Sequence, residues 1–184
     1  MERGFVKAMC ATVLCFLILG GARAQSYQYL TLNDFQGTPQ RKSDAVAYTQ
    51  CYIDLKYDAT KKNGYYELSF YVTLTMNRDK SWIDRTRVST RSALDEVLKH
   101  EQGHYTIAYF EQLELLREFS RTRFGADYKE AVKEIFDRIH AKYEQLTLDY
   151  DEDTHHSLND AQQASWDKYF QKRLNYMPPI ASRE

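Results

Sequence analysis

The stretch from Ser89 to Phe119, "STRSALDEVLKHEQGHYTIAYFEQLELLREF", is where the chain changes its periodicity. Upstream, apolar residues tend to alternate, most clearly in "AVAYTQCYIDLKYDA" (residues 45–59) and "GYYELSFYVTLTM" (residues 64–76). A period of two marks strands with one buried face. Asn63-Gly64 between the two runs favours a tight hairpin turn. Tyr29 to Leu32 read as a candidate additional strand, and "NDFQGTPQRKSDA" (residues 33–45) has the composition of a loop. From Ser89 the spacing becomes helical: Ser89, Thr90 or Ser92 can cap a helix running to about Arg123, with Gly125 placed to close it.

A second helix is expected from near Asp127, with Tyr128, Ala131, Val132, Ile135, Phe136, Ile139, Tyr143 and Leu146 on one stripe. The acidic run "DYDEDTHHSLND" (residues 149–160) reads as a break, after which Asn159 and Gln162 can open a third helix carrying Trp166, Tyr169, Phe170 and Leu174. Strands followed by helices imply an α+β fold: an N-terminal antiparallel sheet, then three helices packed on one side of it, the first carrying an H-E-x-x-H motif.

Residues 1–24 differ from the rest. Arg3 and Lys7 precede an apolar run from Ala8 to Leu19, and small residues close the segment at Ala22 and Ala24. That is the pattern of a secretory signal peptide, with cleavage expected between Ala24 and Gln25. The apolar run is short for a membrane span, so no stable anchor is expected after cleavage. Residues 25–176 are then read as a single domain and 177–184 as a tail. Without the signal, 22 Lys plus Arg stand against 25 Asp plus Glu, a net charge of −3 that points to neither nucleic acid nor an anionic membrane. Cys10 and Cys15 leave with the signal, and Cys51 alone can form no internal disulfide. In a strand-like run, Cys51 reads as a buried apolar side chain and not as a nucleophile.

Inside the helical stretch, His100 and His104 are four residues apart and project from one face at a spacing suited to two imidazoles on one metal. Glu101 lies about 100° round from His100, within reach of water held by that metal without binding the metal itself. On a helical wheel Ala93, Leu94, Val97, Leu98, Ile107, Ala108, Leu115, Leu116 and Phe119 fill one half, and His100, Glu101 and His104 fall within it. Glu96, Lys99 and Gln102 fall outside. Ionisable groups on a buried face cost several kcal/mol of desolvation unless something pairs with them, and a cation would do so. The plainer alternative is two hydrogen-bonded histidines beside a surface glutamate. Gly103 within the motif costs about 1 kcal/mol relative to Ala, which suggests that a strand or loop passes close by.

Catalytic zinc usually takes three protein ligands. His140 lies beside the stripe of the second helix and reads as a boundary residue, whereas His155 or His156 could swing back over the first helix. Asp151 reads equally as a carboxylate orienting a ligand histidine or as a solvated acid. Tyr105, Tyr150 and His155 are candidates to stabilise an oxyanion, although tyrosine, at 15 residues, is common enough to be structural.

Several stretches together resemble the bacterial domain of unknown function 922, a family described as predicted secreted zinc-dependent proteases. They are "LNDFQGTP" (residues 32–39), Ser81-Trp82, "HEQGHYTIA" (residues 100–108), "YDEDTHH" (residues 150–156) and "QASW" (residues 163–166). The resemblance covers most of the chain after the signal, and its register selects His156 as the later histidine. A glycine commonly follows that histidine in the family pattern, where this chain has Ser157.

The motif and the resemblance imply an exported zinc-dependent hydrolase of zincin type, most naturally a peptidase. Zn2+ would be held by His100, His104 and His156, Glu101 would be the general base, and the substrate would be a peptide or protein. A zinc-stabilised binding or adaptor protein is the alternative. Glu101 distinguishes the two, because a structural site has no need of a base.

Overall fold

A computed structural model describes residues 26–40 and 45–176. The expected signal peptide with its cleavage site, and the tail at 177–184, lie outside the described residues. The described elements are β1 (Ala47–Tyr48), β2 (Cys51–Lys62), β3 (Tyr65–Met76), β4 (Trp82–Ile83), α1 (Arg91–Arg121), α2 (Tyr128–Thr154) and α3 (Asp160–Tyr176). This is an α+β fold with antiparallel strands first and helices after.

The long hairpin of β2 and β3 pairs without interruption from Cys51 opposite Met76 to Lys62 opposite Tyr65. Its two-residue turn places Asn63 at φ 50° and Gly64 at φ 87°, the double positive φ that makes Asn-Gly suitable there. The run at 45–59 is not one strand. It breaks at Thr49-Gln50, and β1 pairs instead with β4, Ala47 opposite Ile83 and Tyr48 opposite Trp82. Two antiparallel pairs therefore stand where one sheet was expected. The break is held from outside, since the Gln50 amide donates to Ser81 Oγ (2.9 Å) and Ser81 Oγ donates to the Asn77 carbonyl (2.7 Å).

Tyr29 to Leu32 are not a strand. The Leu30 amide donates to Gln102 Oε1 (2.7 Å) and the Thr31 amide to Asp34 Oδ2 (2.8 Å), so their donors are taken by side chains and not by a ladder. Leu32–Asp34 form a short 3-10 turn. The next residues join the loop before β4, with the Gln36 amide donating to Arg78 O (2.9 Å) and the Gly37 amide to Ser81 O (2.8 Å). Two of the stretches that carry the family resemblance thus support each other.

On β3, Phe70, Val72 and Leu74 are buried while Tyr71, Thr73 and Thr75 face outward, and α1 lies on the buried face. Phe70 stacks on Phe119 with ring centroids 4.1 Å apart, and Gln112 Nε2 donates to the Val72 carbonyl (2.9 Å). Thr90 caps α1, its side chain accepting from the Ala93 amide (3.2 Å). The helix is buried on more sides than a one-faced wheel implies, because Tyr105, Tyr109, Phe110, Gln112 and Leu113 are buried as well. α2 and α3 cover its second side, and residues 27–30 cover part of a third through Gln102 and a Tyr27–Thr106 hydroxyl contact (2.7 Å).

Two helix ends differ from the sequence reading. α1 stops at Arg121 with Thr122 extended, because Phe124 turns back to bridge Tyr66 and fill the core, so Gly125 closes nothing. α2 runs through the acidic stretch to Thr154. Tyr150 and Thr154, four apart, point inward while Asp149, Glu152 and Asp153 face solvent, so the acids are a helix face and not a loop. Asn159 opens α3 as expected, its Oδ1 accepting from the Gln162 amide (3.2 Å).

A partly buried polar cluster ties the three helices together. Glu114 on α1 accepts from Lys142 Nζ (2.7 Å) and Tyr143 Oη (2.7 Å) on α2, and from Arg173 on α3 (3.1 Å). Burial acts to raise the pKa of Glu114, but these donors outweigh it and hold the carboxyl below its ordinary value. A depressed folded-state pKa adds stability above the unfolded value and loses it as pH falls through the folded one. Glu114→Gln is expected to cost about 2 kcal/mol in urea unfolding at pH 7. The gap to the wild type should narrow as pH falls below about 4.5.

Candidate metal centre

His100 and His104 rise from the same face of α1, and α2 crosses them with Asp151. Asp151 Oδ1 lies 3.2 Å from His100 Nε2 and 3.1 Å from His104 Nε2, and those two nitrogens are 3.2 Å from each other. Just past the end of α2, His156 brings Nδ1 to 3.3 Å from the same oxygen. Three imidazole nitrogens therefore converge on one carboxylate oxygen. His100 is buried and Asp151 partly so, whereas the His156 side chain is 62% exposed.

The far side of His100 decides what this convergence can hold. Its Nδ1 faces Gln163 Oε1 (3.2 Å) and Thr154 Oγ (3.4 Å), and the amide oxygen can only accept. The tautomer with hydrogen on Nδ1 therefore satisfies Gln163, leaving the lone pair of Nε2 aimed at Asp151 Oδ1. Two acceptors so close need a proton or a cation between them. Burial disfavours the His104 cation, yet the Asp151 hydrogen bond and the charges of Glu101 and Asp151 outweigh it and raise its pKa. Burial likewise acts to raise the pKa of Asp151, and the neighbouring imidazoles of His100 and His104 reverse it, holding the carboxyl far below its usual range. Imidazole nitrogens with a carboxylate form a donor set that suits a zinc-like ion.

A network behind the histidines fixes their positions. Tyr150 stacks on His100 with centroids 4.6 Å apart and donates to the His100 carbonyl (3.0 Å). Gln163 Nε2 donates to Tyr150 Oη (2.9 Å) and to Asp167 Oδ1 (3.0 Å), and Asp167 pairs with Lys99. Trp166 packs edge-on against Tyr150 and donates to Asp153 Oδ2 (2.9 Å). The later stretches of the family resemblance thus meet at His100.

Gly103 permits this approach. A Cβ at residue 103 would stand 2.3 Å from Tyr150 Oη and 2.5 Å from its ring. The close neighbour is a side chain from α2, where the sequence suggested a strand or loop. Beyond α2, His155, His156 and Ser157 have φ of 46°, 53° and 77°, three consecutive non-glycine residues in the left-handed region. This backbone path brings His156 to Asp151.

Glu101 is 3% exposed and accepts from Thr49 Oγ at 2.6 Å. Thr49 lies in the break between β1 and β2, so the sheet holds the one motif carboxylate that the histidines do not. A cleft of about 550 Å³ opens beside it, lined by His100, Glu101, His104, Asp151 and His156 and walled by residues 45–51. Cys51 also lines it; burial, followed by the charges of Glu101 and Glu111, pushes its thiol up to about 12, so it stays protonated. Tyr105 and Tyr150 are buried in the core and His155 is exposed at the end of α2; none of the three lines the cleft. His140, at the opposite end, pairs with Glu111 (2.8 Å) and is 45% exposed, a boundary residue as expected.

His100, Glu101, His104 and His156 therefore lie around one cleft, whereas the oxyanion candidates Tyr105, Tyr150 and His155 do not line it. Asp151 is more central than its acidic surroundings implied. Thr49, Thr154 and Gln163 acquire roles that single residues in a sequence do not announce, although Gln163 and Thr154 lie within stretches that carry the resemblance.

Gly103→Ala, despite the better helix propensity of Ala, is expected to destabilise the protein by about 1–3 kcal/mol through overpacking against Tyr150. Combined with Tyr150→Ala it should cost less than the sum of the two changes, as a double-mutant cycle would read. Ser157→Gly should stabilise by up to about 1 kcal/mol in thermal or urea unfolding.

Comparison with curated proteins and with solved structures gave no match. The family described as "Bacterial protein of unknown function (DUF922)" matches residues 21–157, a span that includes the strands, α1 and all four of His100, Glu101, His104 and His156. On that match the chain belongs to the DUF922 family.

Proposed function

We propose that the protein is an exported zinc-dependent hydrolase acting on peptides. The carrying observation is the meeting of His100 Nε2, His104 Nε2 and Asp151 Oδ1 beside a cleft into which the buried Glu101 also opens. His100, His104 and Asp151 would hold the ion. His156, the ligand that the family register selects, stands against Asp151 from the exposed side as a further donor. Zinc in such a donor set supplies Lewis-acid polarisation of a carbonyl and acidifies water.

The chain's own groups would do the rest. Thr49 fixes the Glu101 carboxylate by donating to one oxygen, leaving lone pairs to take a proton from water and return it to the leaving amine. Burial of Glu101 keeps bulk water from that exchange. Gln163 holds His100 in the tautomer whose Nε2 is free, and Tyr150 holds the ring in its plane. The extended segment at 45–51 provides a wall along which a peptide can lie. The second reading, a structural zinc in a binding or adaptor protein, has one observation in its favour. His100 takes part in two possible donor groups, one with Glu101 and His104 and one with Asp151 and His156, and in the first Glu101 would be a ligand and not a base.

The two readings separate at Glu101. Metal analysis of untagged protein, purified from zinc-supplemented cells, is expected to give near one zinc per chain. His100→Ala and His104→Ala should abolish this, Asp151→Ala should weaken zinc more than His156→Ala does, and Gln163→Leu should weaken it by about 10–100-fold. Glu101→Gln should retain zinc while peptide-library hydrolysis falls by about 10²–10⁴-fold. Equal turnover in the wild type and in Glu101→Gln rules the base out, and a chain without zinc overturns both readings. Export is tested by the N-terminus of the protein recovered from outside the cytoplasm, expected at Gln25.

A further inference from the structure

The cleft beside His104 does not end there. It follows the groove between α1 and α2 to a second group of side chains, Glu111 on α1 with His140 and Glu144 on α2. Seven residues of helix separate His104 from Glu111, and seven separate Asp151 from Glu144, so both carboxylates stand about 10 Å from the histidine cluster. Between the two ends the lining includes the apolar Ile107 and Ala108, with the exposed Leu148 and Thr147 on the α2 side. Among the described residues lining the cleft, Glu101, Glu111, Glu144 and Asp151 are acidic and none is Lys or Arg.

Glu111 is the unusual member of this group. Only 6% of it is exposed, and its one hydrogen bond among the described residues is from His140 to Oε1, at 2.8 Å. Oε2 has no partner among them. That oxygen is not among the fully buried unsatisfied atoms, so it is open to the cleft and can accept from a donor entering there. Burial raises its pKa, with the Glu144 charge adding to this and His140 opposing it, so a bound cation would relieve an existing cost. Glu144, reached by His140 Nε2 at 3.6 Å, is 67% exposed and stands at the rim.

We infer that this end of the cleft seats a positively charged side chain, Lys or Arg, of the polypeptide that the site acts on. Its methylenes would lie on Ile107, Ala108 and Leu148, and its head would take the free oxygen of Glu111 with Glu144 from the rim. About 10 Å is the span of three extended residues, so the basic residue falls within three positions of the bond that meets the histidine cluster. The inference rests on the hydrolase reading for the polypeptide nature of its ligand, but binding tests it apart from turnover.

The probes are blocked, fluorescein-labelled decapeptides of Ala, Ser and Thr with one central Lys, Arg, norleucine or Glu. Anisotropy titrations use the zinc-loaded Glu101→Gln protein, and hydrolysis is followed with the wild type. The Lys and Arg peptides should bind at least tenfold more tightly than the norleucine peptide, and the Glu peptide most weakly. The preference should shrink with added salt. In the Glu101→Gln background, Glu111→Gln with Glu144→Gln should remove the preference while zinc content and norleucine-peptide binding stay unchanged. Glu144→Gln alone, at an exposed position, keeps the fold and should lower the preference about threefold. Equal binding of the Lys and norleucine peptides, no binding of any peptide, or a preference that survives these substitutions overturns the inference. A Lys preference in binding with no hydrolysis by the wild type supports the cation seat and counts against the hydrolase reading.

Discussion

The ring of Tyr150 occupies the space that a Cβ at residue 103 would need. That contact sets how closely α2 crosses α1, and the rest of the site is built on it. With the helices so close, the residue next to Tyr150 reaches both His100 and His104, and Thr154, one turn further on, reaches the opposite side of His100. α3 then closes over the crossing with Gln163, which bonds to His100 and to Tyr150 at once. A Cβ at 103 could be admitted only by displacing the Tyr150 ring from this position.

Burying this much polarity requires that each group be answered. His100 and Glu101 are buried, and each has a partner from outside α1: Gln163, Asp151 and Thr154 for the histidine, Thr49 for the glutamate. The exception lies between His100 Nε2 and Asp151 Oδ1, where acceptor faces acceptor once Gln163 has fixed the tautomer. Such a gap accommodates either a proton or a cation. The strain in residues 155–157 belongs to the same arrangement, because left-handed backbone persists where surrounding contacts hold it.

The sheet contributes through its break more than through its length. Where β1 hands over to β2, the chain changes partner strand, and Thr49 in that gap is turned toward Glu101. The contact is between side chains, the Thr49 hydroxyl donating to the Glu101 carboxylate from the gap between the two strand pairs. The same segment walls the cleft, so one departure from regular structure both holds the Glu101 carboxylate and shapes the cleft beside it. The cleft's two ends differ in kind: one collects imidazole nitrogens, and the other presents a half-satisfied carboxylate.

Local sequence was sufficient for whatever depends on neighbours along the chain. Asn63-Gly64 specifies its turn because only residues that tolerate positive φ fit there, Thr90 and Asn159 cap helices because their oxygens reach amides three residues on, and the four-residue spacing puts His100 and His104 on one face. Local sequence misled where distant groups took over the backbone's hydrogen bonds or its path. Leu30 gave its donor to Gln102, the run at 45–59 broke to meet Ser81, and Phe124 turned back to Tyr66 before Gly125 could cap α1. The acids of 149–153 read as a loop because composition does not show that Tyr150 and Thr154 face inward. By itself, then, the sequence determined the order of strands and helices and the identity of the motif residues. Tertiary structure decided that Asp151 would sit among the histidines and that Thr49 would hold Glu101, because both depend on contacts across about 50 residues of chain that no local periodicity encodes.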